Sequence, residues 1–247
     1  MQTRTPTRTR LAIAAALGLA GSAANASLVL EGPENFQGTG LGSVNTILTI
    51  QSPGNATFEQ GSVGRTTGSS TDVRTGDFQP GASQTQTRTL GELGVTSASS
   101  LRVVFNALEP GGTANGITLS NLVLNIYSPT GATLFSSGAF TPVTFADTFT
   151  GAGNSGFVFA LDGQQAQAAQ AAAFTGATFG SNIVGLSAAA GQGGAAPAGS
   201  AATGGFETFF VANSPTTVAA IPEPETYALM MAGLGIVGFA ARRRKAR

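Results

Sequence analysis

The chain is 247 residues long and carries 12 basic and 12 acidic side chains, but no cysteine and no histidine. Lack of cysteine excludes disulfides and thiolate metal sites, and lack of histidine removes Ser-His-Asp and Cys-His catalysis together with the commonest transition-metal ligand. The zero formal charge hides a division, because residues 27–221 hold four arginines against ten acidic groups, a net −6 without a lysine, which argues against nucleic-acid binding since phosphate contacts need clustered Lys and Arg.

Taken in order, the chain starts with Arg4, Arg8 and Arg10 ahead of an apolar run at 11–20 and the small-x-small pattern Ala24-Asn25-Ala26. This reads as a secretory signal peptide over 1–26, its cleavage site marked by Ala24 and Ala26 and cut after Ala26, with Ser27 as the mature start. Its apolar core is too short to span a bilayer. Leu28, Val29 and Leu30 open the mature chain. Val44, Thr46, Leu48 and Ile50 then alternate with Asn45, Ile47 and Thr49, the period of a strand. Asn55-Ala56-Thr57 spells a glycosylation sequon, a pattern short enough to arise by chance.

Residues 61–86 are rich in Gly, Ser and Thr and read as a long surface loop with at most one polar strand. Thr85, Thr87 and Thr89 alternate with Gln84, Gln86 and Arg88, which suits a solvated edge strand; a threonine ladder also suits contact with sugar or ice. The centre carries the strongest strand signals. Leu101, Val103, Phe105 and Ala107 share one face of a strand, and Leu122, Leu124 and Ile126 share a face of another beyond the turn-rich stretch at 109–116. Pro129-Thr130-Gly131 predicts a hairpin turn into Thr133-Leu134-Phe135, and Phe157, Phe159 and Leu161 repeat the alternation.

Asp162 is placed to cap a helix over 163–174, with Gln165 in the capping-box position and alanines supplying propensity. Strand character returns at 177–186. Residues 187–205 are nearly all Ala, Gly and Ser and read as a flexible insertion. Phe206 to Ala212 has the aromatic weight of a last core strand. Together these elements predict a mainly β protein: one β-sandwich or jelly-roll-like domain over 27–212, with one short Ala-rich helix.

The last 26 residues are of another kind. A stalk at 213–221 leads to Pro222-Glu223-Pro224, where two prolines hold the backbone extended. An uncharged apolar run at 226–241 follows; as a helix its 16 residues reach roughly 24 Å against a hydrocarbon core of about 30 Å. It predicts a short transmembrane helix. Arg242, Arg243, Arg244, Lys245 and Arg247 in the tail at 242–247 hold that end in the cytoplasm by the positive-inside bias, with everything before Pro222 outside. The string Gly233-Leu-Gly235-Ile-Val-Gly238 matches a dinucleotide-binding turn only in spelling, for it lacks the following helix and the acidic residue about 20 positions later.

The order of Pro-Glu-Pro, short apolar run and Arg cluster resembles the PEP-CTERM sorting signal of proteins exported by exopolysaccharide-producing Gram-negative bacteria. A plain membrane anchor on a proline-rich stalk is the other reading of the same stretch. The resemblance, confined to 222–247, implies recognition and cleavage near Pro222, Glu223 and Pro224 by a membrane-embedded exosortase. It further implies export through the inner membrane, transient anchoring by the C-terminal helix, release to the cell surface or extracellular space, and extracellular polysaccharide as a matrix partner.

Chemistry in such a chain would rest on carboxylates. Asp72, Asp77, Asp147 and Asp162 are the candidates, and a glycoside hydrolase needs two held roughly 5 to 10 Å apart. No spacing places two together, so no catalytic residue is assigned. Asp72, Asp77 and Asp147 are also weak calcium candidates, because Ca²⁺ takes carboxylate and carbonyl oxygens, but no D-x-D-x-D-G loop appears. No cofactor is expected. The reading is therefore a non-catalytic exported protein, in the surface or matrix role that the resemblance implies, with a carbohydrate-binding module as the alternative and a carboxylate-based hydrolase behind it.

Overall fold

The computed structural model describes residues 28–34, 45–51, 56–81, 83–106, 116–145, 156–191, 202 and 205–214. The signal peptide, most of the stalk, the sorting signal and the expected membrane helix at 226–241 lie outside the described residues, as do Asn55, Ala107 and most of the turn at 109–116. Among the described residues no helix is long and apolar enough to cross a membrane.

Two antiparallel sheets face each other. Sheet I runs in the order β1 (Leu28–Glu34), β10 (Gly156–Leu161), β6 (Leu101–Asn106), β12 (Glu207–Asn213) and β2 (Asn45–Ile50). Sheet II runs β4 (Val73–Gly76), β3 (Phe58–Gly64), β11 (Ile183–Gly191), β7 (Ile117–Tyr127) and β8 (Thr133–Ser136), with β5 (Arg88–Thr89) added to β11 and β9 (Val143–Phe145) added to β7. The helix α1 (Gly163–Ala173) carries the chain from β10 in sheet I to β11 in sheet II.

Alternation decides which side chains meet between the sheets. Leu101, Val103 and Phe105 of β6 face Leu122, Leu124 and Ile126 of β7 in one shared apolar core. Its aromatic centre joins the layers: Phe105 lies 5.0 Å from Phe209 within sheet I, and Phe145 of sheet II lies 3.7 Å from Phe157 and 5.9 Å from Phe105, ring centroid to ring centroid. Each such side chain, fully withdrawn from water, contributes roughly 1.5–3 kcal/mol. The mainly β architecture and the core strands read from 101–106, 122–126, 157–161 and 206–212 are as expected.

Three expectations are corrected, and a fourth holds with an addition: the chain at 61–86 is chiefly loop with the polar strand β4, but it opens with the end of β3, which runs to Gly64 and pairs with β4. Thr85 and Thr87 do not form a solvated edge. They are buried, and Thr85 Oγ1 accepts from Thr49 N at 3.2 Å and donates to Thr49 O at 3.3 Å, so the hydroxyl takes the place of a ladder partner for β2. Strand structure does not begin at 177; a turn and a 3-10 turn (Phe179–Ser181) precede Ile183.

The largest correction is at 187–205. Ser187 to Gly191 is no flexible insertion but the second half of β11, the central strand of sheet II, paired with β3 on one side and β7 on the other. Small side chains are required there. A Cβ on Gly185 would stand 2.4 Å from Val63 O, and one on Gly191 would stand 2.1 Å from Thr57 O at a φ of +81°, a backbone conformation that favours glycine. The remainder of that stretch falls largely outside the described residues.

Candidate functional site

The residues singled out for sorting, namely Pro222, Glu223, Pro224, Arg242, Arg243, Arg244, Lys245 and Arg247, lie outside the described residues, and so do Ala24, Ala26 and Asp147. The position from which the sorting signal departs is described. Asn213, the last residue of β12, pairs with Leu101, and its Nδ2 donates to Gly94 O at 2.7 Å. Ser214 N donates to Ser100 O at 2.8 Å. At the start of the domain Leu28 pairs with Leu161, the residue just before the α1 cap. Both ends of the sandwich domain therefore emerge at its α1 end. From Ser214 to Pro222 are eight residues, which reach at most roughly 29 Å when fully extended.

The described aspartates are engaged in structure. Asp72 lies between two guanidinium groups, 3.1 Å from Arg65 and 3.0 Å from Arg74, and also accepts from Thr87 N and from Thr87 Oγ1 at 2.6 Å. Asp77, beyond the other end of β4, accepts from Gln60 N at 3.0 Å. The structure gives these two calcium candidates separate partners. Among the described residues no group of three or more acidic, His or Cys side chains is placed to hold a metal. Asp162 caps α1 as expected, its Oδ1 accepting from Gln165 N at 2.8 Å. Gln165 does not close the capping box. Its Nε2 donates instead to Ser137 O at 2.7 Å, fastening the helix to the strand connection below.

Among the hollows on the described surface, two stand out. One, of about 490 Å³, runs along α1 between Ser99, Leu161, Ala166 and Thr175 and is walled mainly by apolar atoms. The other, of about 200 Å³, lies on the outer face of sheet II and is more polar; Ser62, Thr66, Val73, Asn125, Tyr127 and Ser187 line it. Its floor follows from two glycines within strands. A Cβ on Gly64 would meet Tyr127 Oη at 2.5 Å and one on Gly185 would meet the ring at 3.1 Å, so the Tyr127 ring lies across the sheet in the space both side chains leave free.

The hydroxyl accepts from the Arg65 backbone N–H, which lowers the Tyr127 pKa, but burial outweighs it and holds the phenol above its ordinary value of 10.0. The Arg65 guanidinium beside the groove pairs with Asp72, which it shares with Arg74, and also donates to Thr87 Oγ1 at 3.0 and 3.1 Å. Asn125 and Ser187 are half-buried, and their side chains make no hydrogen bond to another described residue. Sequence reading missed this groove. The available signal was Gly185 inside the strand pattern at 177–186, since a glycine within a strand marks a close approach of some other group, whereas Gly64 fell in the stretch read as loop.

Neither the curated proteins nor the solved structures include a match to the chain. A family model described as the PEP-CTERM protein-sorting motif matches residues 220–245, so the chain carries that motif at its C-terminus, with the exosortase-linked export and membrane-associated sorting that the motif implies.

Proposed function

We propose that this chain is an exported, non-catalytic protein of the cell surface or extracellular matrix, delivered by the general secretory route and processed by exosortase at Pro222-Glu223-Pro224. The motif match at 220–245 carries the reading. Its physical parts support it: an extended Pro-Glu-Pro step, an apolar run too short to make a comfortable permanent span, and five basic residues that keep the far end cytoplasmic. The end residues of the domain support it too. Both Leu28 and Asn213 lie at the α1 end, so the two ends of the described domain open on the same side of the sandwich.

In this reading the signal peptide is removed after Ala26, the helix at 226–241 anchors the protein briefly, and the sandwich ends outside the inner membrane. A non-catalytic role is supported by the engagement of Asp72 with two arginines, of Asp77 with Gln60 N and of Asp162 with the helix cap. The test is to express the full chain with a tag after Arg247 in a host carrying exosortase. The tag is expected to be lost from the mature protein, and to be retained when Pro222, Glu223 and Pro224 are all changed to alanine. A tag that stays on the unaltered chain overturns the proposal.

A further inference from the structure

We propose that the groove on the outer face of sheet II binds a neutral saccharide chain, with the Tyr127 ring as platform and Asn125 and Ser187 as the hydrogen-bonding groups. A pyranose has one face of C–H bonds and a rim of hydroxyls, each both donor and acceptor. It is matched by an aromatic face beside groups that also donate and accept. The groove offers that pairing. Tyr127 lies across Gly64 and Gly185 rather than standing up from the strand, and Asn125 and Ser187 flank it with side chains that make no hydrogen bond to another described residue.

Two further observations fix the ligand class. The one cation among the described residues at the rim, Arg65, shares the Asp72 carboxylate with Arg74, so only the net acidic domain around this cluster disfavours a polyanionic glycan, and a neutral one meets no such repulsion. At about 200 Å³ the groove is smaller than the roughly 300–1,000 Å³ that encloses a drug-sized ligand, which suits one ring of a longer chain passing over the surface. An aromatic covering for strand glycines explains why a ring lies over Gly64 and Gly185. It does not explain two unpaired polar side chains beside the ring.

The site does not rest on the sorting proposal; loss of binding leaves sorting untouched, and failure of sorting leaves binding untouched. The full chain, held in a non-glycosidic detergent so that no sugar headgroup competes, is titrated with maltohexaose, cellohexaose, laminarihexaose and mannohexaose by calorimetry and saturation-transfer NMR. At least one is expected to bind saturably with a Kd on the order of 0.1–1 mM. Tyr127→Ala is expected to weaken that binding about tenfold or more, and Asn125→Ala and Ser187→Ala severalfold each, while Tyr127→Phe, which keeps the platform, stays within about threefold. The alanine variants at 125 and 187 keep the test decisive if Tyr127→Ala does not fold. No saturable binding by any of the four up to about 10 mM overturns the proposal, as does binding indifferent to Tyr127, Asn125 and Ser187. Preferential binding of alginate, a polyanion, overturns the neutral class.

Discussion

The central strands of the two sheets, β6 and β11, do the same job with opposite materials. β6 is Leu-Arg-Val-Val-Phe-Asn, every residue buried, with Phe105 at the aromatic centre. β11 is Ile-Val-Gly-Leu-Ser-Ala-Ala-Ala-Gly, also buried along nearly its whole length, yet its second half has almost no side chain to bury. The first is a strand because its residues are large and branched. The second is a strand because β3 and β7 already hold the space around it, and only small residues leave room for Val63 O, Thr57 O and the Tyr127 ring. Centrality in a sheet is thus reached either by filling volume or by ceding it.

The comparison is broken most strongly by emptying β6. Phe105→Ala removes the ring that meets Phe209, Phe145 and Phe157, and chemical denaturation is expected to show a loss of about 3–5 kcal/mol. Filling β11 fails in the opposite way. Gly185→Val drives a branched side chain into Val63 O and the Tyr127 ring, at a cost of about 1–3 kcal/mol or more, and Gly191→Ala, at φ +81° and against Thr57 O, falls in the same range. Should β11 tolerate valine at 185 without loss, the contrast between the strands is wrong.

Two smaller effects sharpen the contrast. Asp162→Ala removes the cap of the helix that delivers the chain into β11 and is expected to cost about 1 kcal/mol, read as an earlier unfolding midpoint with an unchanged slope. The smallest concerns the Tyr127 phenol, whose pKa is raised in the folded state. As pH climbs past about 10 the unfolded chain releases that proton first, so stability declines with rising pH until the folded phenol ionises as well. Tyr127→Phe is expected to abolish that part of the alkaline decline while leaving stability near pH 7 largely as it was. An unchanged alkaline limb in the variant counts against a buried phenol.

Legibility followed the same division. β6, the Leu122-Leu124-Ile126 face of β7, β10 and β12 stood out because large apolar residues alternate with others at the period of a strand. The hairpin at Pro129-Thr130-Gly131 was visible because Gly131 takes a positive φ of 82°. The Ala/Gly half of β11 had no such pattern, and its composition pointed to a linker. Thr85 and Thr87 misled for a related reason: alternation shows that two faces differ, but not which of them meets Thr49 and Arg65. The candidate groove shared this obscurity. Tyr127 was visible only as a scarce aromatic, and nothing local places it over Gly64 and Gly185, residues 63 and 58 positions away.

By itself the sequence determined what is written in short linear stretches: strands with their own apolar alternation, the Asp162 helix cap, and the terminal Pro-Glu-Pro, apolar and basic series that the sorting-motif family model matches. Each depends on neighbours within a few residues, so a local reading captures it. Tertiary structure alone decided that an Ala-rich stretch is a central strand, that two threonines turn inward, and that a tyrosine lies flat across two glycines. Those outcomes depend on hydrogen bonds and excluded volume supplied by strands distant in the chain, and strand formation by small residues answers to that context more than to any preference of their own.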